Sequence, residues 1–138
     1  TVTEQLRRYL LPINEALGGT PSGGTDVHLM VARYGTSPYG IHKDTNSVLT
    51  TVYFGQKTIL VWPYEHFSGE VEHKSGERLH IKLPLVKVSE HRATAHSLHA
   101  TAGSTIYFPA SAWHVGSAEA DDVHVSLHVT FGTHIDRT

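Results

Sequence analysis

Cysteine is absent from the 138 residues, which excludes disulfides and thiolate chemistry. Charge of either sign is sparse. Eleven Lys and Arg stand against 13 Asp and Glu, leaving a net charge of −2 and no polybasic patch, so nothing points to nucleic acid. No apolar run approaches the ~20 residues that span a bilayer, and no signal-peptide pattern opens the chain. A cytoplasmic protein without membrane contact is the expectation. An initiator Met is missing and the chain stops soon after a strand pattern, which leaves open a longer native protein.

What is present is turn chemistry and β-branched residues. Twelve Gly and six Pro punctuate segments rich in Val, Thr, Ile and Tyr, as an all-β fold requires. The length suits one domain over 1–138. Residues 1–17 read as a helix, with Thr1-x-x-Glu4 as a capping box and Leu6, Tyr9, Leu10, Ile13 and Leu17 as an apolar stripe. Pro12 predicts a kink or a restart inside it. GGTPSGG, 18–24, is a connector, and a β core is expected over 26–132.

Within that core, Asp26 to Tyr34 reads as a strand. Val48 to Phe54 and Lys57 to Trp62 read as two strands joined in a hairpin at Gly55-Gln56. Pro63 to Gly76, with Tyr64, His66, Phe67 and His73, is a polar loop that suits a lid as well as an idle surface. Arg78 to Ser89, broken by Pro84, suggests edge strands. His91, His96 and His99 follow without diagnostic spacing and read as exposed histidines. Val123 to Phe131 alternates strictly: Val123, Val125, Leu127, Val129 and Phe131 on one face, His124, Ser126, His128 and Thr130 on the other. The oily face suits the N-terminal helix. The polar face suits solvent as well as an internal cavity, and of its residues His128 and Thr130 are assigned to the cavity.

The chemistry concentrates in YGIHKDTNSVLTTVYFGQKTILVWP, 39–63, and GSTIYFPASAWHVG, 103–116. In a strand, residues i and i+2 share a face, so His42 and Asp44 can offer an imidazole and a carboxylate to one ion. His114 supplies the third ligand. Two His and one carboxylate with open positions is the arrangement of non-heme Fe(II) oxygenases. Lys57 sits among apolar neighbours, where an ammonium is costly unless paired.

These residues carry a family resemblance. Gly103, Pro109 and His114 fall at the spacing of the second cupin motif, with Ser111 in place of its second glycine; Gly40, His42, Asp44 and Gly55 match the first motif. Asp44 stands where ordinary cupins have a second histidine, and Lys57 lies thirteen residues beyond it. The chain thus resembles the cupin superfamily and, within it, the JmjC-type 2-oxoglutarate and Fe(II)-dependent oxygenases. The resemblance implies a double-stranded β-helix, or jelly roll, with the helix packed on one sheet. It implies Fe(II) on His42, Asp44 and His114, and Lys57 on the distal carboxylate of 2-oxoglutarate. Tyr39 occupies the position where the family often has a Ser or Thr that contacts the cosubstrate, and Val48 the position of a frequent Asn. Tyr39, Thr50, His128 and Thr130 complete the candidate cosubstrate contacts.

The activity so implied is hydroxylation of a C–H bond in a peptide, protein side chain, amino acid or other small molecule, with dioxygen and 2-oxoglutarate consumed. The sequence does not fix the oligomeric state and leaves a homodimer open. Two alternatives use the same ligands: a cupin oxygenase that binds its substrate directly to the metal, and a non-catalytic metal- or ligand-binding module.

Overall fold

The computed structural model describes residues 1–17, 20–21, 25–69, 81–83, 86–117, 123–131 and 135–136. Helix α1 spans Val2–Leu17. The Thr1 hydroxyl accepts a hydrogen bond from the Glu4 amide at 3.3 Å, which satisfies one of the unpaired donors at the helix start. The helix runs through Pro12 instead of restarting there, although proline removes a backbone donor at that turn. No described helix is long and apolar enough to cross a membrane.

Two antiparallel sheets form the body. Strands β2 (Thr25–Arg33), β10 (Val123–Phe131), β4 (Ser47–Phe54) and β8 (Thr105–Phe108) lie side by side in that order. The second sheet runs β6 (Ile81–Lys82), β3 (His42–Lys43), β9 (Trp113–Ser117), β5 (Gln56–Trp62) and β7 (His96–Thr101). A separate short pair joins β1 (Thr20–Pro21) to β11 (Ile135–Asp136).

The expected hairpin at Gly55-Gln56 does not form. β4 pairs with β10 and β8, whereas β5 pairs with β7 and β9, so the chain changes sheet at Gly55. Gly55 has φ +72°, and a Cβ there would lie 2.5 Å from the Val123 carbonyl oxygen. A backbone turn of this hand, pressed against β10, redirects the strand out of its own sheet instead of folding it back.

Alternation along each strand then sorts the side chains. Between the sheets lie Val48, Val52, Ile59, Ala100, Ile106 and Phe108. On the far side of the five-stranded sheet, Ile41, Leu60, Trp62, Phe67, Leu83, Trp113 and Val115 form a second core. Phe67 is therefore not part of a lid; the turn Tyr64–Phe67 delivers it into this core, where its ring meets Trp62 and Trp113 edge-on. His73 lies outside the described residues. Among the described residues of 78–89, the expected edge strand is the short β6, and Val88–His91 is a helical turn, α2, whose Val88 packs on the same core.

The oily face of β10 turns outward. Its partner residues Leu29 and Val31 on β2 are 65% and 67% exposed, while Val129 and Phe131 are buried. Tyr9 of α1 hydrogen-bonds the Thr51 hydroxyl, on the same outer face, so the helix covers one end of the sheet.

Gly40 and Gly55 share a positive φ but differ in surroundings. Gly40, at φ +70°, has no atom within 4 Å of the point a Cβ would occupy, whereas Gly55 faces backbone. Gly40→Ala should cost about 1 kcal/mol of backbone strain. Gly55→Ala should cost about 3 kcal/mol or more, because strain and overpacking combine. Urea denaturation of the two variants measures the difference.

Candidate metal centre and cavity

A cavity of about 430 Å³ opens between the sheets, walled by β2, β10, β5, β9 and the segment 34–46. His42 and His114 converge because they are direct partners on the adjacent strands β3 and β9. Side chains at such positions project from one face about 5 Å apart, and the two ring centroids are 4.2 Å apart. Asp44 lies just past the end of β3, so the simple two-residue strand geometry does not reach it. Its carboxylate nevertheless arrives between the rings, with Oδ1 3.9 Å from His42 Nε2 and Oδ2 3.5 Å from His114 Nε2. The ligand atoms of the three residues all lie within 4.8 Å of one another, and no other such group occurs among the described residues.

The outer nitrogens fix the tautomers. His42 Nδ1 is 2.9 Å from the Gly40 carbonyl and His114 Nδ1 is 3.2 Å from the Ala112 carbonyl. A carbonyl only accepts, so each Nδ1 carries the proton and each Nε2 presents a lone pair toward Asp44. Phe108 packs on the His114 ring at 4.4 Å. Two lone-pair nitrogens and a carboxylate, oriented from behind and facing a cavity, fit a divalent transition-metal ion.

Lys57 stands on the same inner face as Ile59, and only 3% of it is exposed. Its ammonium donates to Ser126 Oγ at 3.2 Å and to His128 Nε2 at 2.8 Å, and no described carboxylate pairs with it. Burial lowers its pKa to about 8. Burial, with Lys57 next, pushes His128 down to about 3, so that ring is a neutral acceptor. Thr130 lines the cavity beside it. The polar face of β10 thus looks inward.

Tyr39 lines the mouth, its ring 5.8 Å from that of His42. Thr50 is fully buried but does not line the cavity, and its hydroxyl has no partner among the described residues. Of the other histidines, His91 contacts His66 and His99 contacts Thr58; neither group, nor His96, joins the cavity.

Sequence reasoning passed over Tyr34, Ser126, His28 and Asp26, all brought to this interior. Tyr34 lies against Gly116, where a Cβ would be 2.7 Å from its hydroxyl oxygen. Gly116 follows His114 by two on β9, so the phenol reaches the same wall as the His114 imidazole. Burial raises its pKa, which keeps it a proton donor. Asp26 and His28 turn inward because β2 pairs residue for residue with β10, a register that the alternation within β2 does not itself reveal.

No protein-family model and no curated protein matches the sequence. Solved structures do resemble it. One is hydroquinone 1,2-dioxygenase from Sphingomonas sp. TTNP3, with 4-hydroxybenzoate bound: TM-score 0.53, 14% identity, 83% of this chain against 63% of that one. Another is E. coli ycfD: TM-score 0.60, 15% identity, 94% of this chain against 30% of that one. The chain therefore spans under two thirds of either protein, and at these identities the likeness is one of fold. Sheet order, inward polar face and these neighbours agree: the chain is a jelly roll of the cupin fold with a small N-terminal helix.

Proposed function

We propose that this protein is a JmjC-type dioxygenase that uses Fe(II) and 2-oxoglutarate to hydroxylate a C–H bond of a peptide, protein side chain, amino acid or other small molecule. One observation carries the reading. A single cavity holds a two-histidine, one-carboxylate set and also a buried ammonium that no described carboxylate pairs with. These are the complements of the two ends of a keto diacid.

His42, Asp44 and His114 would hold the ion on one side, leaving its cavity side open. Iron with 2-oxoglutarate and dioxygen supplies the oxidising power, releasing succinate and carbon dioxide. The chain's own contributions are positional. Lys57 receives the distal carboxylate in a charge-assisted hydrogen bond. Ser126 and neutral His128 hold the ammonium in place, and Tyr34 offers a protonated hydroxyl from β9's side. Ile59, Val48 and Phe108 exclude water around the bound acid. Tyr39 and Thr130 contribute from the mouth and the opposite wall, while Thr50 supports the interior behind them.

Val48 favours a second reading. It lines the cavity as an apolar side chain where the family often has Asn, and an oxygenase that binds its substrate directly to the metal would need no such contact.

Anaerobic Fe(II) protein with 2-oxoglutarate should show the weak visible charge-transfer band of a chelated keto acid, and Lys57→Ala should lose it at the same cosubstrate concentration. Metal binding without a band would select the second reading. Asp44→Ala and His114→Ala should each weaken metal binding on the order of 100-fold or more in calorimetric titration, with His91→Ala and His96→Ala unchanged.

The pH dependence follows from Lys57, whose pKa of about 8 lies below its unfolded value of roughly 10.4. The folded free protein therefore binds fewer protons than the unfolded chain between those values. Its stability should rise as pH increases from about 8 to about 10.4. Cosubstrate affinity should do the reverse, level below pH 8 and falling by roughly tenfold per unit above it. Calorimetry in buffers of different ionisation enthalpy should also detect proton uptake on binding near pH 8.5.

A further inference from the structure

Among the described residues, one sheet edge is both long and open. β6 and β8 are two and four residues long, and β7 packs against β8 where the two sheets meet. β2 runs for nine residues, pairs with β10 residue for residue without a bulge, and has no described strand on its other side. Natural sheets blunt such an edge with proline, lysine, a bulge or brevity. β2, TDVHLMVAR, has none of these.

Both faces of the strand show where the sheet stops. On the outer face Leu29 and Val31 are 65% and 67% exposed, beside their β10 partners Leu127 and Val125. On the inner face Asp26 and His28 line the cavity and are nevertheless exposed, because its wall ends at β2. An apolar strip next to an unpaired backbone is a surface that a monomer seldom leaves in water.

A second copy of the same strand fits this edge. Residues paired across an antiparallel ladder share a face, and a two-fold axis through the sheet keeps both inner faces on one side. Paired positions must therefore have the same parity, which allows registers centred on His28, Leu29 or Met30. Centring on Leu29 pairs all nine residues. It sets Val27 against Val31, Leu29 against itself and Val31 against Val27, because the outer row reads alike in both directions. A centre on either neighbour shortens the ladder and places an outer valine opposite Thr25 or Arg33. The Leu29 register also opposes no like charges, since Asp26 meets Ala32 and Arg33 meets Thr25.

From this self-complementarity we infer that the chain forms a homodimer through β2, which joins two four-stranded sheets into one about an axis at Leu29. The pairing completes the site as well as the sheet. Met30 of the second copy comes to stand beside His28 and carries the cavity wall past the edge where one chain alone ends it. The dimer requires neither metal nor cosubstrate.

Sedimentation velocity of the full chain, from low micromolar to submillimolar concentration, should show a monomer–dimer equilibrium. Leu29→Lys sets two ammonium groups against each other on the axis and should leave the chain monomeric throughout. Its circular dichroism and metal binding should not change, because residue 29 is exposed in the monomer. Tyr53→Lys, at an exposed apolar residue of β4 away from the edge, should keep the dimer. The chain has no cysteine, so single introduced thiols report the register. Leu29→Cys should cross-link on mild oxidation, since directly paired side chains lie about 5 Å apart. Val31→Cys should not, because its two copies lie about 13 Å apart along the ladder. A wild-type monomer at every concentration overturns the inference. So does a dimer that survives Leu29→Lys, one lost with Tyr53→Lys, or one that cross-links through residue 31 instead of 29.

Discussion

An ammonium held between two sheets sets the terms for the rest of this fold. A buried charge without a counterion is costly, and Lys57 is 3% exposed with only a hydroxyl and a neutral imidazole as partners among the described residues. The depressed pKa of Lys57 expresses that cost. It is offset by the apolar cluster that shares the interior, and by the larger one built on Trp62 and Trp113 behind the five-stranded sheet. Stability is thus concentrated on one side of the molecule, and the space between the sheets is left free to be polar.

The same arrangement orders the site electrostatically. Lys57 and His128 both lose affinity for protons through burial, but to different ends. His128 is kept neutral and can accept a hydrogen bond. Lys57 stays near the edge of protonation, so that an arriving carboxylate restores its charge. On the other wall, backbone carbonyls hold the outer nitrogens of His42 and His114 and free the inner ones. One part of the cavity therefore presents lone pairs and the other presents protons. A ligand that is a metal chelate at one end and an acid at the other satisfies both.

The candidate site was legible to the extent that it is local. His42 and Asp44 share one short stretch, and the spacing of Gly103, Pro109 and His114 marks a turn leading into a strand. The interval from Asp44 to Lys57 was equally visible. Tyr34 and Asp26 were not, because nothing in their own neighbourhood separates them from ordinary strand residues. Their importance comes from pairing: Asp26 faces the cavity because Thr130 does, and Tyr34 reaches it because residue 116 has no side chain. The hairpin expected at Gly55 failed for a related reason. A glycine between two β-branched runs signals a reversal, but only contact with β10 determines whether the chain returns to its own sheet or crosses to the other.

By itself the sequence determined the elements. The alternation of Val123 to Phe131, the capped helix at the start, the ligand types and the lysine are all periodic or local features, set by backbone geometry within a few residues. Only the tertiary structure decided which face of each strand turns inward. Alternation shows that two faces differ in polarity, and the usual rule would bury the oily one. Here β10 buries His124 and Ser126 of its polar face, while Leu29 and Val31 beside it stay exposed. A polar interior is tolerable only where a second sheet supplies partners such as Lys57, and that meeting of distant strands is not written in any one of them.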